Sequence, residues 1–381
     1  MRRVIFLLWG LCCSLVVAVA CTSPEGNDSE SKIGLLDSSI IADADGGGYS
    51  VVVASQLAWS ASCESNWVVM NKNEGGAGAT DFQFSVTANP ELTERNAMIV
   101  FQCLNDTSSA ILNISQGVSE ITVVTKKTQG WAEMPKVVAD DNLEYCTHDK
   151  LPSNNKLRNY SFCFDKEKHC ALWVAYPLHS CYTDGSGNRT NAWGYDPCCV
   201  EDKYEPYLKN AYYPQGGSSY SHSRGHQLPS ADRLASNEDN ATTFYYTNMT
   251  PQLQSLNGAS WGALEGDLRS KWMCSDTLYV VTGAHFAEGY GYAYDNKGAG
   301  KACAVPTHYY KVILRTKKGN SGKWVGNCSA DELKCVGFWF EHKGGAARQT
   351  MSVAEIEKKT GHTFFPNVPN APKSTYNASE W

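Results

Sequence analysis

The chain has 381 residues, 42% of them hydrophobic and 11% aromatic, enough to bury more than one core. Its 39 acidic residues outnumber its 33 basic ones, for a net charge of −6. That excludes a global positive field, so any affinity for a polyanion must come from a local cluster.

Arg2 and Arg3 precede an apolar run from Val4 to Val19, and Ala20-Cys21 follows. Residues 1–20 therefore read as a secretory signal peptide, with an apolar run too short to favour a spanning helix. The small residues before Cys21 resemble a bacterial lipobox. That resemblance implies lipidation of Cys21 and an exported protein held at the outer membrane or cell surface through its lipid. Residues 21–32 are polar and acidic, a tether of the disordered kind, and resemble the export signals of Bacteroidota lipoproteins. Once Cys12, Cys13 and Cys21 are set aside, 12 of the 15 cysteines remain, an even number. In an exported chain that reads as disulfides, with Cys163/Cys170 and Cys328/Cys335 as candidate short-loop pairs. The C-x₂-C clusters of a zinc site do not occur.

Residues 33–118 are rich in short apolar or alternating runs: Ser50–Ala54, Phe82–Val86, Met98–Phe101 and Ala110–Ile114, separated by Gly, Asn and Pro. They predict a small all-β sandwich. Trp59, Trp67-Val68, Ala88-Asn89-Pro90, Glu94-Arg95 and Ile114-Ser115-Gln116 come in an order that resembles a BACON domain. The resemblance implies a module appended to an exported enzyme, with a glycan contact. Trp59 and Trp67 read instead as core residues of a spacer. The acidity lies here, since residues 21–121 carry 13 acids and three basic residues, while the remainder is close to neutral.

Beyond a joining segment the pattern changes. Asn159–Phe162, Ala171–Tyr176, Thr277–Gly283, Val305–Val312 and Gly337–Phe340 read as buried strands, and Ser352–Thr360 as a short helix. Between them lies Ser223-Arg224-Gly225-His226, then an alternating run, Thr243-Phe244-Tyr245-Tyr246-Thr247, that reads as a strand. Pro251 is expected to break that strand. Trp261, Leu264, Leu268 and Trp272 recur at helical spacing, with Asn257 as an N-cap type just before them. Glu265 and Arg269 are one turn apart and share a face.

This set suits phosphodiester cleavage. A neutral imidazole takes a proton from water near neutral pH. A hard divalent cation needs few protein oxygens, a nearby carboxylate holds its waters, and guanidinium groups meet phosphate.

The motif resembles the DNA/RNA non-specific endonuclease family, the ββα-metal nucleases. Its pattern D-R-G-H, S/T-N-x-x-P-Q, N-x-G-x-W-x-x-L-E and R is met by residues 223–226, 247–252, 257–265 and Arg269. The resemblance covers roughly residues 121–368 and implies an α+β fold with a central antiparallel sheet, so the nuclease domain is placed at 121–381. It implies His226 as general base and Asn257 as sole protein ligand of Mg²⁺ or Mn²⁺. It implies Glu265 as holder of the metal's waters, Asn248 as a site-shaping amide, and Arg224 and Arg269 as phosphate clamps. Arg189, followed by Trp193 and Asp196-Pro197, resembles a segment with a further catalytic arginine. Ser223 replaces the usual Asp, and Gly258 directly follows Asn257 where the family has one residue between. DNA and RNA are the implied substrates, with 5′-phosphate products. The rival reading is a surface lipoprotein whose inactive nuclease fold binds glycans or polyanions.

Overall fold

A computed structural model describes residues 31–119, 124–125, 127–198, 200–297 and 300–381. The signal peptide, Cys21 with most of its tether, and the expected domain start near Ile121 lie outside the described residues. The chain divides into two compact units: residues through Ala88 with Arg95–Gln116, and Asn89–Glu94 with Gly117–Trp381.

The first unit is a pair of β-sheets. One has four strands, Ile33–Leu35, Gly47–Ser55, Gly78–Val86 and Val68–Met70. The other has five, Ser39–Ala42, Ser109–Gln116, Arg95–Cys103, Trp59–Ser62 and Glu74–Gly75. All four predicted runs lie in these strands. Alternate side chains point inward, so Val51, Val53, Phe82, Phe84, Ile99, Phe101, Leu112 and Ile114 form one core. Trp59 is fully buried there, edge-on to Phe82 and Phe101. Trp67 packs at the margin beneath the Arg95 guanidinium, 4.3 Å from its ring.

The second unit is built on a seven-stranded antiparallel sheet. Its order is Leu143–His148, Tyr160–Asp165, Cys170–Leu178, Leu278–His285, His308–Thr316, Leu333–Glu341 and Gln349–Met351. The central strands read as continuous apolar runs because both faces are covered. Phe162, Val174, Tyr176, Val280, Tyr309 and Ile313 face one core, and Cys163, Trp173, Val281, Tyr310, Val312 and Leu314 face the other. The second face is covered by the helix Val353–Thr360 and Phe364-Phe365. Ser352 and Glu355 cap that helix reciprocally, and Gly361, at φ 77°, supplies the left-handed residue that ends it. The first face is covered by the helical run from Gln254 to Trp272, through the predicted seam of Trp261, Leu264, Leu268 and Trp272.

Three local expectations are corrected. Thr243–Thr247 is not a strand: Thr242–Phe244 and Tyr246–Asn248 are 3₁₀ turns. The hydroxyls of Thr242 and Thr243 donate to the carbonyls of Asp239 and Asn240, which wraps the chain onto the preceding helix, Asn237–Ala241. Pro251 does not break a strand but lies within one. Met249–Gln252 pairs antiparallel with Ser223–His226, Arg224 opposite Pro251, in a two-stranded ribbon with free edges where a missing N–H is tolerated. Asn257 is not an N-cap, because Gln254–Leu256 is already helical and Asn257 continues it at φ −55°, ψ −49°.

The cysteine pairing also differs. Cys146 and Cys198 form a disulfide, whereas Cys163, Cys170, Cys328 and Cys335 are buried thiols. Across the strand pair, Cys163 stands opposite Trp173 and Cys170 opposite Asp165, so the short connection does not bring their sulfurs face to face.

Candidate active site

His226 ends the first strand of the ribbon, opposite Met249, and the second strand leads through Leu253 into the helical run. The ribbon requires a glycine at 225, where a Cβ would sit 2.6 Å from the Gln252 Cβ. Asn248 holds the segment after His226. Its amide oxygen accepts from the Leu228 N–H at 2.8 Å, and its nitrogen donates to the carbonyls of Leu228 and Thr243. It is fully buried and braces the site from behind.

The His226 ring is edge-on to Phe244 and Trp193, with centroids 5.0 and 5.5 Å away. Burial among these rings, then the Arg189 cation, pushes its pKa down to about 3, so the imidazole is neutral at physiological pH. Its Nε2 has no hydrogen-bond partner among the described residues.

Arg189 lies against the same wall, its guanidinium 4.9 Å from the Phe244 ring. Its NH1 donates to Ser230 at 2.8 Å and its Nε to Asn191 at 3.1 Å. Burial lowers its pKa and the Glu265 carboxylate opposes that, while its own charge helps to depress His226. Arg224 stacks on Trp193, 3.5 Å from the ring centroid, and its NH1 donates to the carbonyls of Leu208 and Lys209. In the free protein Arg224 is thus a clamp on the 208–209 loop.

Glu265 sits on the helical run in a four-charge cluster. Arg269 forms an ion pair with buried Asp232 at 2.7 Å. Lys311, on the central strand beneath, is fully buried, donates to Thr282 at 2.5 Å and lies 4.8 Å from the Trp261 ring. Burial raises the Glu265 pKa, Lys311 opposes that rise, and Asp232 adds to it. Burial likewise lowers that of Lys311, against the pull of Glu265 and Asp232. Asn257 stands about two turns before Glu265, partly exposed, and its side-chain amide makes no hydrogen bond among the described residues. A free amide oxygen, near a helix face that carries a carboxylate, fits a hard divalent cation that keeps most of its waters.

One group of three metal-type ligands lies within 4.8 Å among the described residues, His148, Asp196 and Cys198. It is a structural knot: the Cys198 sulfur is bonded to Cys146, and Asp196 accepts from His148 and Thr247.

The structure therefore joins His226, Arg189 and Glu265 in one field, links Glu265 to Arg269 through the charge cluster, and brings Arg224 to His226 through Trp193. Asn248 stands behind them. Sequence reasoning missed Lys311 and Asp232, and named Trp193 only as a neighbour of Arg189 in its segment. The signal for Lys311 was a lysine amid His308–Thr316, since a cation in a strand buried on both faces must have a partner.

A β-ribbon that ends in a neutral imidazole is followed by a helical run bearing an amide, a carboxylate and a guanidinium, a ββα arrangement. The sequence profile of the DNA/RNA non-specific endonuclease family matches residues 146–371, more than half of the chain. The chain belongs to that family and is a nuclease. The BACON profile matches residues 57–117. A protein named Nuclease from Nostoc sp. is 30% identical over 240 residues, 60% of this chain and 80% of the relative. Mitochondrial endonuclease G of Bos taurus is 28% identical over 233 residues, 57% of this chain and 72% of its own. A crystal structure of an EndoG/EndoGI complex aligns with 68% of this chain and 96% of the other at 19% identity and a TM-score of 0.41.

Proposed function

We propose that this chain is an exported, lipid-anchored endonuclease that hydrolyses DNA and RNA with Mg²⁺, or Mn²⁺ in its place. The observation that carries the reading is the His226 imidazole, neutral through burial and Arg189, with its Nε2 unpartnered. His226 takes the proton from the attacking water. The new bond forms to phosphorus, and the bond to the 3′ oxygen breaks, leaving a 5′-phosphate. Burial is the main cause of the depression and the Arg189 cation the second, so a phosphate arriving beside Arg189 returns part of the ring's basicity. Arg269, fixed by Asp232, and Arg189 neutralise charge that grows on the phosphate oxygens. Asn257 would hold the cation and Glu265 its waters. The bound metal supplies Lewis-acid stabilisation of the leaving oxygen.

Cys21, outside the described residues, is the proposed attachment to the membrane. Cys21→Ser should release the protein into the soluble fraction, and continued partition with membranes contradicts the anchor. The N-terminal unit is read as a spacer, because Trp59 is fully buried and Trp67 lies under Arg95.

The test of the catalytic reading is plasmid nicking with and without EDTA by wild type, His226→Ala and His222→Gln. Loss of a general base costs at least about 10²–10⁴-fold. His222 sits 5.7 Å from His342 in a separate ring pair, and its variant should cut normally. A folded His226→Ala protein that keeps more than about a tenth of the rate refutes the assignment. A wild type that binds DNA without cutting it favours the polyanion-binding reading.

A further inference from the structure

Beside the catalytic wall lies an open cleft of about 550 Å³ lined by Asn191, Trp193, Tyr195, Tyr207, Lys209 and Tyr246. Two of its phenols are unusually open: Tyr195 is 39% exposed and Tyr207 43%. Both stand edge-on to Tyr246, which is buried as the floor, with centroids 5.3 and 5.9 Å from it.

These rings do not sit on a loose loop. Cys198 is bonded to Cys146, and the buried Asp196 beside Tyr195 is held by His148, Thr247 and its own N–H bond to Glu205. The Tyr207 N–H donates to Asp295 at 2.8 Å, and the Lys209 carbonyl is gripped by Arg224. Two large apolar rings are thus kept in water by a frame that permits no collapse. A rigid aromatic ring binds a partner at low entropic cost.

We propose that this cleft is a stacking subsite for an unpaired nucleobase of the substrate strand, next to the scissile phosphate. The cleft is continuous with the catalytic site, because Trp193 lines it and also packs on His226 and Arg224. Burial first, then the nearby Asp202 and Asp295 carboxylates, raise the Tyr195 pKa, so this wall offers a neutral phenol ring. Lys209, exposed in the lining, can meet the backbone beside that base, and Arg189 lies on the adjoining catalytic wall against Phe244. A base held in a duplex cannot enter, so the subsite gives the enzyme a preference for single-stranded or locally opened nucleic acid.

The inference rests on the nuclease reading, and binding separates the two. In EDTA, with no cutting, the anisotropy of a labelled single strand reports affinity for the full chain. The comparisons are Tyr195→Ala/Tyr207→Ala, the matching Phe pair, a duplex of the same sequence, and a strand with abasic residues in place of nucleosides. The Ala pair should weaken single-strand binding by about tenfold or more, as expected for loss of base–aromatic stacking. It should leave the duplex and the abasic strand unchanged, and the Phe pair should bind like wild type. With metal present, the same variant should raise KM on the single strand with little change in kcat. Equal weakening on all three ligands, or none on the single strand, overturns the subsite. A wild type that shows this binding pattern but never cuts overturns the nuclease reading alone.

Discussion

Lys311→Met tests whether the buried cation sustains Glu265. Methionine keeps the length and unbranched stem of the lysine, and its sulfur can rest on Trp261, where the ammonium lies 4.8 Å from the ring. Thr282 loses one bond partner but keeps a rotatable hydroxyl. The loss therefore falls on Glu265, a carboxylate left with Asp232 nearby and only Arg269 in partial compensation. Breaking a buried pair outright costs about 3–5 kcal/mol, an upper bound here because Glu265 is partly exposed and feels Lys311 through the field rather than through a direct ion pair. Glu265 can escape by taking a proton, at about 1.4 kcal/mol for each pH unit above its pKa. Its pKa is already raised in the wild type and rises further in the variant, so the folded variant binds a proton that its unfolded chain has lost. Stability of the variant relative to wild type must then fall as pH rises. Wild-type Lys311, whose pKa is depressed, adds a slope of the same relative sign. Urea unfolding at about pH 6 and about pH 9 should show a small deficit at the lower pH and the full few kcal/mol at the higher. The acidic limb of the pH–rate profile should move to higher pH. Lys311→Met/Glu265→Gln should recover stability without recovering activity. A deficit equal at both pH values, with an unmoved limb, refutes the coupling.

Asn257→Ala should raise the Mg²⁺ concentration needed for cleavage and lower the rate together, while Asn257→Asp, which still offers oxygen, should keep part of both. Its stability should be unchanged, since the amide makes no hydrogen bond among the described residues; equal metal dependence in wild type and Ala variant would place the cation elsewhere. Burial holds His222 down to about 4, so its unfolded form binds the extra proton and stability is lost as pH falls below the ordinary histidine value. On going from pH 7 to about pH 5, His222→Gln should gain about 2 kcal/mol relative to wild type, and a pH-independent difference in unfolding free energy counts against a buried neutral ring.

What the sequence revealed, and what it hid, follows the range of the forces involved. The seam of Trp261, Leu264, Leu268 and Trp272 was legible because one helix repeats its own pattern. The strand alternation of the first unit and the Ser352–Thr360 helix were legible for the same local reason. The Thr243–Thr247 run misled because its strand-type residues are nearly all buried in two successive 3₁₀ turns, the first closed by threonine hydroxyls, rather than alternating between two faces. Pro251 misled because its lost N–H matters only in a strand paired on both sides. The partners of Glu265 and Arg269 were hidden because Lys311, on a central strand, and Asp232, in the 3₁₀ turn Ser230–Asp232, lie 46 and 37 residues away and meet them only in the folded chain. The Cys146–Cys198 bond spans 52 residues and no local spacing announces it.

The helix that carries Asn257 and Glu265 is not a uniform α-helix. Ala259 leaves helical geometry at φ −118°, ψ −110°, and the Gly262 N–H reaches back to the Asn257 carbonyl, a turn one residue wider than normal. Each added residue turns everything before it by about 100° relative to everything after it. The amide end of the helix is thereby phased independently of the seam that anchors Trp261 through Trp272. Inserting or deleting one residue near Ala259 would therefore swing Asn257 around the axis while leaving the packing of Trp261 through Trp272 in place.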